Sequence, residues 1–166
     1  MAISWAKDDT DTETIAGRKS TLRFLVYTHI QHKSFLKFTA AAWGLSVDDV
    51  ESVRLRIRVT YRVGSDNYRL YSAKSGDSNW GVALTADATD WLTTQAHLED
   101  TVAIGSTGYK YFDINKNNID WAGWTWFKIM GSFPAYPAYS TITFGAQNHA
   151  TVAYRPTLII TLKRTA

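Results

Sequence analysis

The chain has 166 residues, 14% of them Phe, Trp or Tyr and 20% charged, with a formal net charge of +3 and no cysteine. That length suits one domain able to bury about 70% of its unfolded surface without a metal or a covalent staple, and the missing cysteine excludes a disulfide framework and thiol catalysis. A charge balance this mild does not point to nucleic acid, and no run reaches the eighteen or so apolar residues that cross a bilayer.

From the N-terminus, Met-Ala-Ile-Ser-Trp-Ala-Lys lacks both a basic and an apolar leader region, so no secretory signal is expected. Asp8, Asp9, Asp11 and Glu13 then crowd a polar stretch without periodicity. Like charges repel there and bring no apolar surface to offset backbone ordering, so residues 1–14 read as a flexible acidic arm that orders on a partner, with Ile3 and Trp5 as its anchors. One domain is expected over 15–166. Thr21 to Tyr27 reads as a strand, His29 to Lys33 as a polar turn and Ser34 to Phe38 as the returning strand of a hairpin. Loops follow, with one helical turn near Ser46–Glu51.

Ser52 to Val63 is the strongest signal in the chain. Val53, Leu55, Ile57, Val59 and Tyr61 alternate with Arg54, Arg56, Arg58, Thr60 and Arg62, which an extended strand converts into one apolar and one wet face. Gly64-Ser65-Asp66-Asn67 has turn chemistry, and Tyr68 to Ala73 is expected to return and pair antiparallel with this strand. Lys74 to Gly81 is a long turn with Trp80 at its tip, and Asp87 to Gln95 carries helix-start chemistry around Trp91. Tyr109–Ile114 and Trp124–Met130 read as strands, separated by a loop at Asn115–Asn118. Pro134 and Pro137 keep Gly131–Tyr139 out of any central strand and make it an aromatic loop. Thr141–Phe144 and Thr157–Lys163 are extended. Eight or nine strands at roughly ten-residue spacing, without a convincing helix, predict an all-β antiparallel sandwich.

Three segments resemble the DNRLRE-type β-sandwich domains, a jelly-roll group related to carbohydrate-binding modules. Lys33-Ser34-Phe35-Leu36-Lys37-Phe38 is similar to their "basic, small, aromatic, Leu, Lys/Arg, Phe" strand. Val50-Glu51-Ser52-Val53-Arg54-Leu55-Arg56-Ile57 is similar to "Ile-x-Ser-Ala-x-Leu-x-Leu", with Val53 in place of the usual Ala. Arg155-Pro156-Thr157-Leu158-Ile159-Ile160-Thr161-Leu162 is similar to the closing "Arg-Pro-x-Leu-x-Ile-x-Tyr" strand, while the name-giving DNRLRE motif is missing. The resemblance implies a jelly-roll-like, non-catalytic surface module of the kind found in secreted proteins and in virions. With no leader in view, the expectation is a virion structural protein, a decoration or fibre-type protein on a phage head or tail. It would assemble in the host cytoplasm and bind other virion proteins or copies of itself as a homo-oligomer. The alternative is a carbohydrate-binding module that recognises a polysaccharide.

The chain carries no Gly-x-Ser-x-Gly elbow, phosphate loop, dinucleotide fingerprint or His-Glu-x-x-His. His29, His32, His97 and His149 suggest no zinc site. No cofactor is expected. Asp77 and Asn79 are the residues calcium would use, against the competing reading of an Asx-stabilised turn. Arg54, Arg56, Arg58 and Arg62, with Arg69, could present a basic stripe to an acidic partner or nucleic acid, although such faces are more often simply solvated or paired with acids. The candidate binding residues are aromatic: Trp5, Trp80, Trp121, Tyr136 and Tyr139, suited to stack on sugars or anchor a protein interface.

Overall fold

The computed structural model describes residues 12–16, 19–23, 26–30, 33–74, 97–131, 140–146 and 149–163. Within them are eleven strands: β1 (Thr12–Ala16), β2 (Lys19–Arg23), β3 (Val26–Ile30), β4 (Lys33–Thr39), β5 (Val50–Val63), β6 (Asp66–Lys74), β7 (His97–Ile104), β8 (Gly108–Ile114), β9 (Trp124–Gly131), β10 (Thr141–Gly145) and β11 (Thr157–Leu162). The first sheet is organised on β5. Val59 pairs with Phe144 of β10 and with Gly108 of β8, while Arg54 to Arg56 pair with both β11 and β8. A strand has two edges, so β10 and β11 lie end to end along one and β8 occupies the other. β1 extends this sheet beyond β10, and the second sheet runs β4-β9-β6-β7. β2 and β3 pair with each other as a separate hairpin.

Both sheets are antiparallel, and they close face to face over one core. Val53, Leu55, Ile57 and Val59 of β5, with Phe112, Ile142, Phe144 and Leu158 from its neighbours, meet Leu36, Phe38, Tyr68, Leu70, Phe127 and Ile129 of the second sheet. Phe38 and Phe127 pack edge to face, with ring centroids 5.7 Å apart. The protein is thus an all-β antiparallel sandwich, as the alternation predicts. β9 departs from that alternation. Trp126 and Lys128, on the side of the strand opposite Phe127 and Ile129, are also buried, so both faces of β9 are covered.

The pairing differs from the expected one in several places. β4 pairs with β9, not with the strand before it, and the Thr21–Tyr27 stretch is divided between the paired strands β2 and β3. β5 and β6 do not pair. Both edges of β5 are taken by β8, β10 and β11, and β6 crosses to the other sheet, where Tyr68 and Leu70 face the apolar side of β5 across the core. Gly64, at φ 68°, sits in the left-handed region at this crossing, a conformation that costs glycine nothing. The arm expected over 1–14 overlaps β1, whose Thr12, Glu13 and Thr14 pair with β10. The loop expected at Asn115–Asn118 holds a short 3-10 turn, Lys116–Asn118, capped where the Asn115 side chain accepts from Asn117 N. The helical turn expected near Ser46 forms at Val47–Asp49. There the Ser46 hydroxyl and backbone N–H both donate to Asp49, holding its carboxyl below the usual range. The helix expected at Asp87–Gln95 lies outside the described residues.

β7 has no counterpart among the expected strands. Its carboxylates hide it, since acids are depleted in strands. Here they have a structural task at the corner between the sheets. Asp100 Oδ2 accepts from Asp113 N at 2.9 Å and Glu99 Oε2 from Asn115 N at 2.7 Å, which satisfies donors along the edge of β8. Glu99 also accepts from the Ser72 hydroxyl and from Asn118 Nδ2.

Candidate functional site

The solvent face of the β5 sheet carries the densest arrangement of functional side chains. Period two places Arg54, Arg56 and Arg58 outward between the buried Val53, Leu55, Ile57 and Val59. On β8 the same period buries Phe112 and Ile114 and turns Tyr109 and Tyr111 outward, where they remain 38% and 42% exposed. Strand register sets Arg58 opposite Tyr109 and Arg56 opposite Tyr111. The guanidiniums then settle over rings: Arg54 over Tyr111 at 5.4 Å, and Arg56 and Arg58 over Tyr109 at 5.0 and 4.9 Å. Each such contact is worth about 0.5–1 kcal/mol at an exposed site and more where water is excluded.

A third ring comes from the connection between β10 and β11. Tyr154 lies in the 3-10 turn Val152–Tyr154 and covers Arg58 at 5.1 Å. That turn is held by its neighbours. His149 Nδ1 accepts from Thr151 N, Arg155 Nε donates to the His149 carbonyl, and the Tyr109 hydroxyl donates to the Ala153 carbonyl. Gly145 makes the close approach possible, because a Cβ there would stand 2.5 Å from the Tyr154 carbonyl oxygen. Arg56 is fixed further by donating to Thr157 Oγ1 at 3.1 Å.

The result is a row of three partly immobilised cations. Arg54 has Asp113 opposite it in register yet turns to Tyr111, and Arg56 and Arg58 have no carboxylate partner among the described residues. The Nε atoms of Arg56 and Arg58 are buried without a hydrogen-bond acceptor. Stacking has already removed much of their rotamer freedom, so an anionic partner would meet forks whose ordering cost is largely met. The chemistry on offer is recognition of carboxylate or phosphate groups.

Tyr61 stands near this face for a reason that the plain alternation hides. Val59 pairs with Phe144 and Tyr61 with Thr143, so a bulge at Thr60 shifts the period and turns Tyr61 outward, 57% exposed, instead of into the core.

Of the aromatic residues expected to bind, Trp121 is the one that the structure describes. It packs partly buried against the core and donates its indole N–H to the Lys116 carbonyl at 3.1 Å. Trp5, Trp80, Tyr136 and Tyr139 lie outside the described residues, as do Asp77 and Asn79. Among the described residues, no group of three or more His, Asp or Glu side chains is placed to hold a metal, and no helix is long and apolar enough to cross a membrane. The site residues that the sequence does not single out are Tyr109, Tyr111 and Tyr154. The first two are legible in principle from the alternation around Phe112; the third depends on a turn with no periodic signal. No protein-family model and no curated protein matches the chain.

Proposed function

We propose that this protein is a non-catalytic virion structural protein, a decoration or fibre-type sandwich that works by binding other proteins of the particle through the arginine–tyrosine face of its β5 sheet. The virion setting comes from the resemblance of the Lys33–Phe38, Val50–Ile57 and Arg155–Leu162 segments to jelly-roll surface modules. The observation that favours protein binding is the row Arg54, Arg56 and Arg58, stacked on tyrosines and, among the described residues, without carboxylate partners. Arginine and tyrosine are enriched among energetic anchors of protein interfaces. Sugar stacking is the weaker reading for this face, since Tyr109 carries two guanidiniums over its ring instead of an open surface for a pyranose.

The test is co-sedimentation of the purified protein with particles that lack it. Wild type is expected to bind, and Arg54→Glu with Arg58→Glu is expected to lose at least about tenfold in affinity while keeping its fold, because each tenfold is only about 1.4 kcal/mol and reversed charges oppose an acidic surface. Binding to a defined polysaccharide in a glycan screen, with no affinity for the particle, would replace this reading with the carbohydrate one.

A further inference from the structure

The three arginines of this face are not equivalent, and their differences single out Arg58. Arg54 is exposed, has one ring beside it and lies opposite Asp113 in the register, so an incoming anion meets a carboxylate next to it. Arg56 is half-buried, but one of its terminal nitrogens already donates to Thr157 Oγ1. Arg58 is half-buried with two rings against its guanidinium, Tyr109 at 4.9 Å and Tyr154 at 5.1 Å, and it has no acceptor among the described residues. Beneath it lies Gly108, where a Cβ would stand 3.5 Å from Arg58 Nη1, so no side chain of β8 competes for the space. Burial of Nε decides how this guanidinium can be used. The side-on mode, through Nε and one Nη, is closed, and the end-on pair Nη1 and Nη2 remains. Two N–H groups side by side match the two oxygens of one carboxylate. A phosphate would present further oxygens without a second donor at hand, because the Tyr109 hydroxyl is spent on the Ala153 carbonyl. A nucleic-acid base would find the Tyr109 ring already carrying two guanidiniums.

We infer that Arg58, in the box formed by Gly108, Tyr109 and Tyr154, is the anchor of the face and takes one Asp or Glu carboxylate of the partner protein end-on, while Arg54 steers from the rim. This rests on the reading of the face as a protein-binding surface and names the group it binds. The rings keep water from the sides of the cation, so an ion pair forms there in a lower dielectric than at the rim, and the ordering of the side chain is already largely met. Lysine is no substitute at this position. Its ammonium is a point charge without a planar fork to lie against two rings and meet both oxygens at once. At Arg54, where charge alone matters, lysine serves nearly as well.

The test titrates the isotopically labelled full-length protein with the blocked peptide acetyl-Gly-Asp-Gly-amide, with acetyl-Gly-Asn-Gly-amide and with inorganic phosphate. The Arg58 Nε–Hε signal and the Gly108 amide are expected to shift saturably with the Asp peptide and to ignore the Asn peptide. Arg58→Lys is expected to weaken binding at least about tenfold, and Arg54→Lys to stay within about threefold. At about 0.5 M salt the contribution of Arg54 should disappear while the response at Arg58 persists. Tyr154→Leu removes one wall and leaves the fork, and a loss of about fivefold is expected from it. No saturation by about 0.1 M Asp peptide, or equal losses from the two lysine variants, would overturn the anchor. Saturation by phosphate without a response to the Asp peptide would overturn the carboxylate assignment. These readouts need no particle, so they stand apart from co-sedimentation. Peptide binding at Arg58 without particle binding removes the virion partner and leaves the box; particle binding indifferent to Arg58→Lys removes the box alone.

Discussion

Tyr68 shows how a single buried group shapes the pH response of this sandwich. Its hydroxyl is fully buried and lacks a hydrogen-bond partner. Burial pushes its pKa up from the ordinary 10.0 to about 12; the Ser140 hydroxyl offsets part of this, although it donates to Asp66 Oδ2, whose negative charge raises the value further. The folded protein keeps this proton to higher pH than the unfolded chain, so unfolding releases a proton above pH 10. Stability should therefore fall as pH climbs from about 10 toward 12, by roughly 2–3 kcal/mol, with no contribution from this group below about pH 10. Tyr68→Phe keeps the ring and deletes the orphan hydroxyl. It should leave stability at pH 7 equal or up to about 1 kcal/mol higher and flatten the decline between pH 10 and 11, as urea melts of both proteins would show. Gly145 acts through space. Gly145→Ala drives a Cβ into the Tyr154 carbonyl, and with backbone on both sides the 3-10 turn has to give way. We expect a cost of about 1–3 kcal/mol in chemical denaturation, together with altered chemical shifts at Tyr154 and Arg58.

At the scale of the element, β5 is two different strands in one. As far as Val59 its period is strict; beyond it the bulge at Thr60 reverses the sides. Ile57→Ala should cost about 2–5 kcal/mol, as expected for a fully buried side chain that leaves a cavity, whereas Arg54→Ala should cost under about 1 kcal/mol because only one exposed ring contact is lost. Tyr61→Thr, at a position that an unbroken alternation would bury, should change stability by less than about 0.5 kcal/mol. A loss at Tyr61 comparable to that at Ile57 would show that the bulge is not present in solution. The arginine half of the candidate face was legible from this strand, since alternation alone sends Arg54, Arg56 and Arg58 to the wet side. Their environment was not legible. Whether outward arginines are solvated, paired with acids or stacked on rings depends on which strand lies alongside, and the pairing with β8 through Tyr109 and Tyr111 is set by core packing far from either strand's own sequence.

For the molecule as a whole, the first sheet is closed by its N-terminal strand. β1 pairs with β10 and adjoins β4 and β9 of the opposite sheet, so it covers one open side of the sandwich. Deleting residues 1–11, which leaves every described strand intact, should leave the melting temperature within about 2 °C, while deleting 1–16 bares the β10 edge and should lower it by at least about 2–4 °C with a tendency to associate. Scanning calorimetry of the two truncations separates these outcomes. What the sequence by itself determined is everything that rests on nearest neighbours: the all-β class, the faces of β5 up to Val59, the strand character of β8, β9, β10 and β11, and the turn at Gly64. Those follow from side-chain alternation and local turn chemistry, which are properties of a few consecutive residues. What only the tertiary structure decided is partnership: β4 with β9, β6 on the sheet opposite β5, the conversion of the acidic His97–Ile104 stretch into an edge-satisfying strand, and the delivery of Tyr154 onto Arg58. An antiparallel strand finds an equally good backbone ladder with many partners, so the choice among them is made by which arrangement buries both apolar faces at once, and that is a property of the whole chain.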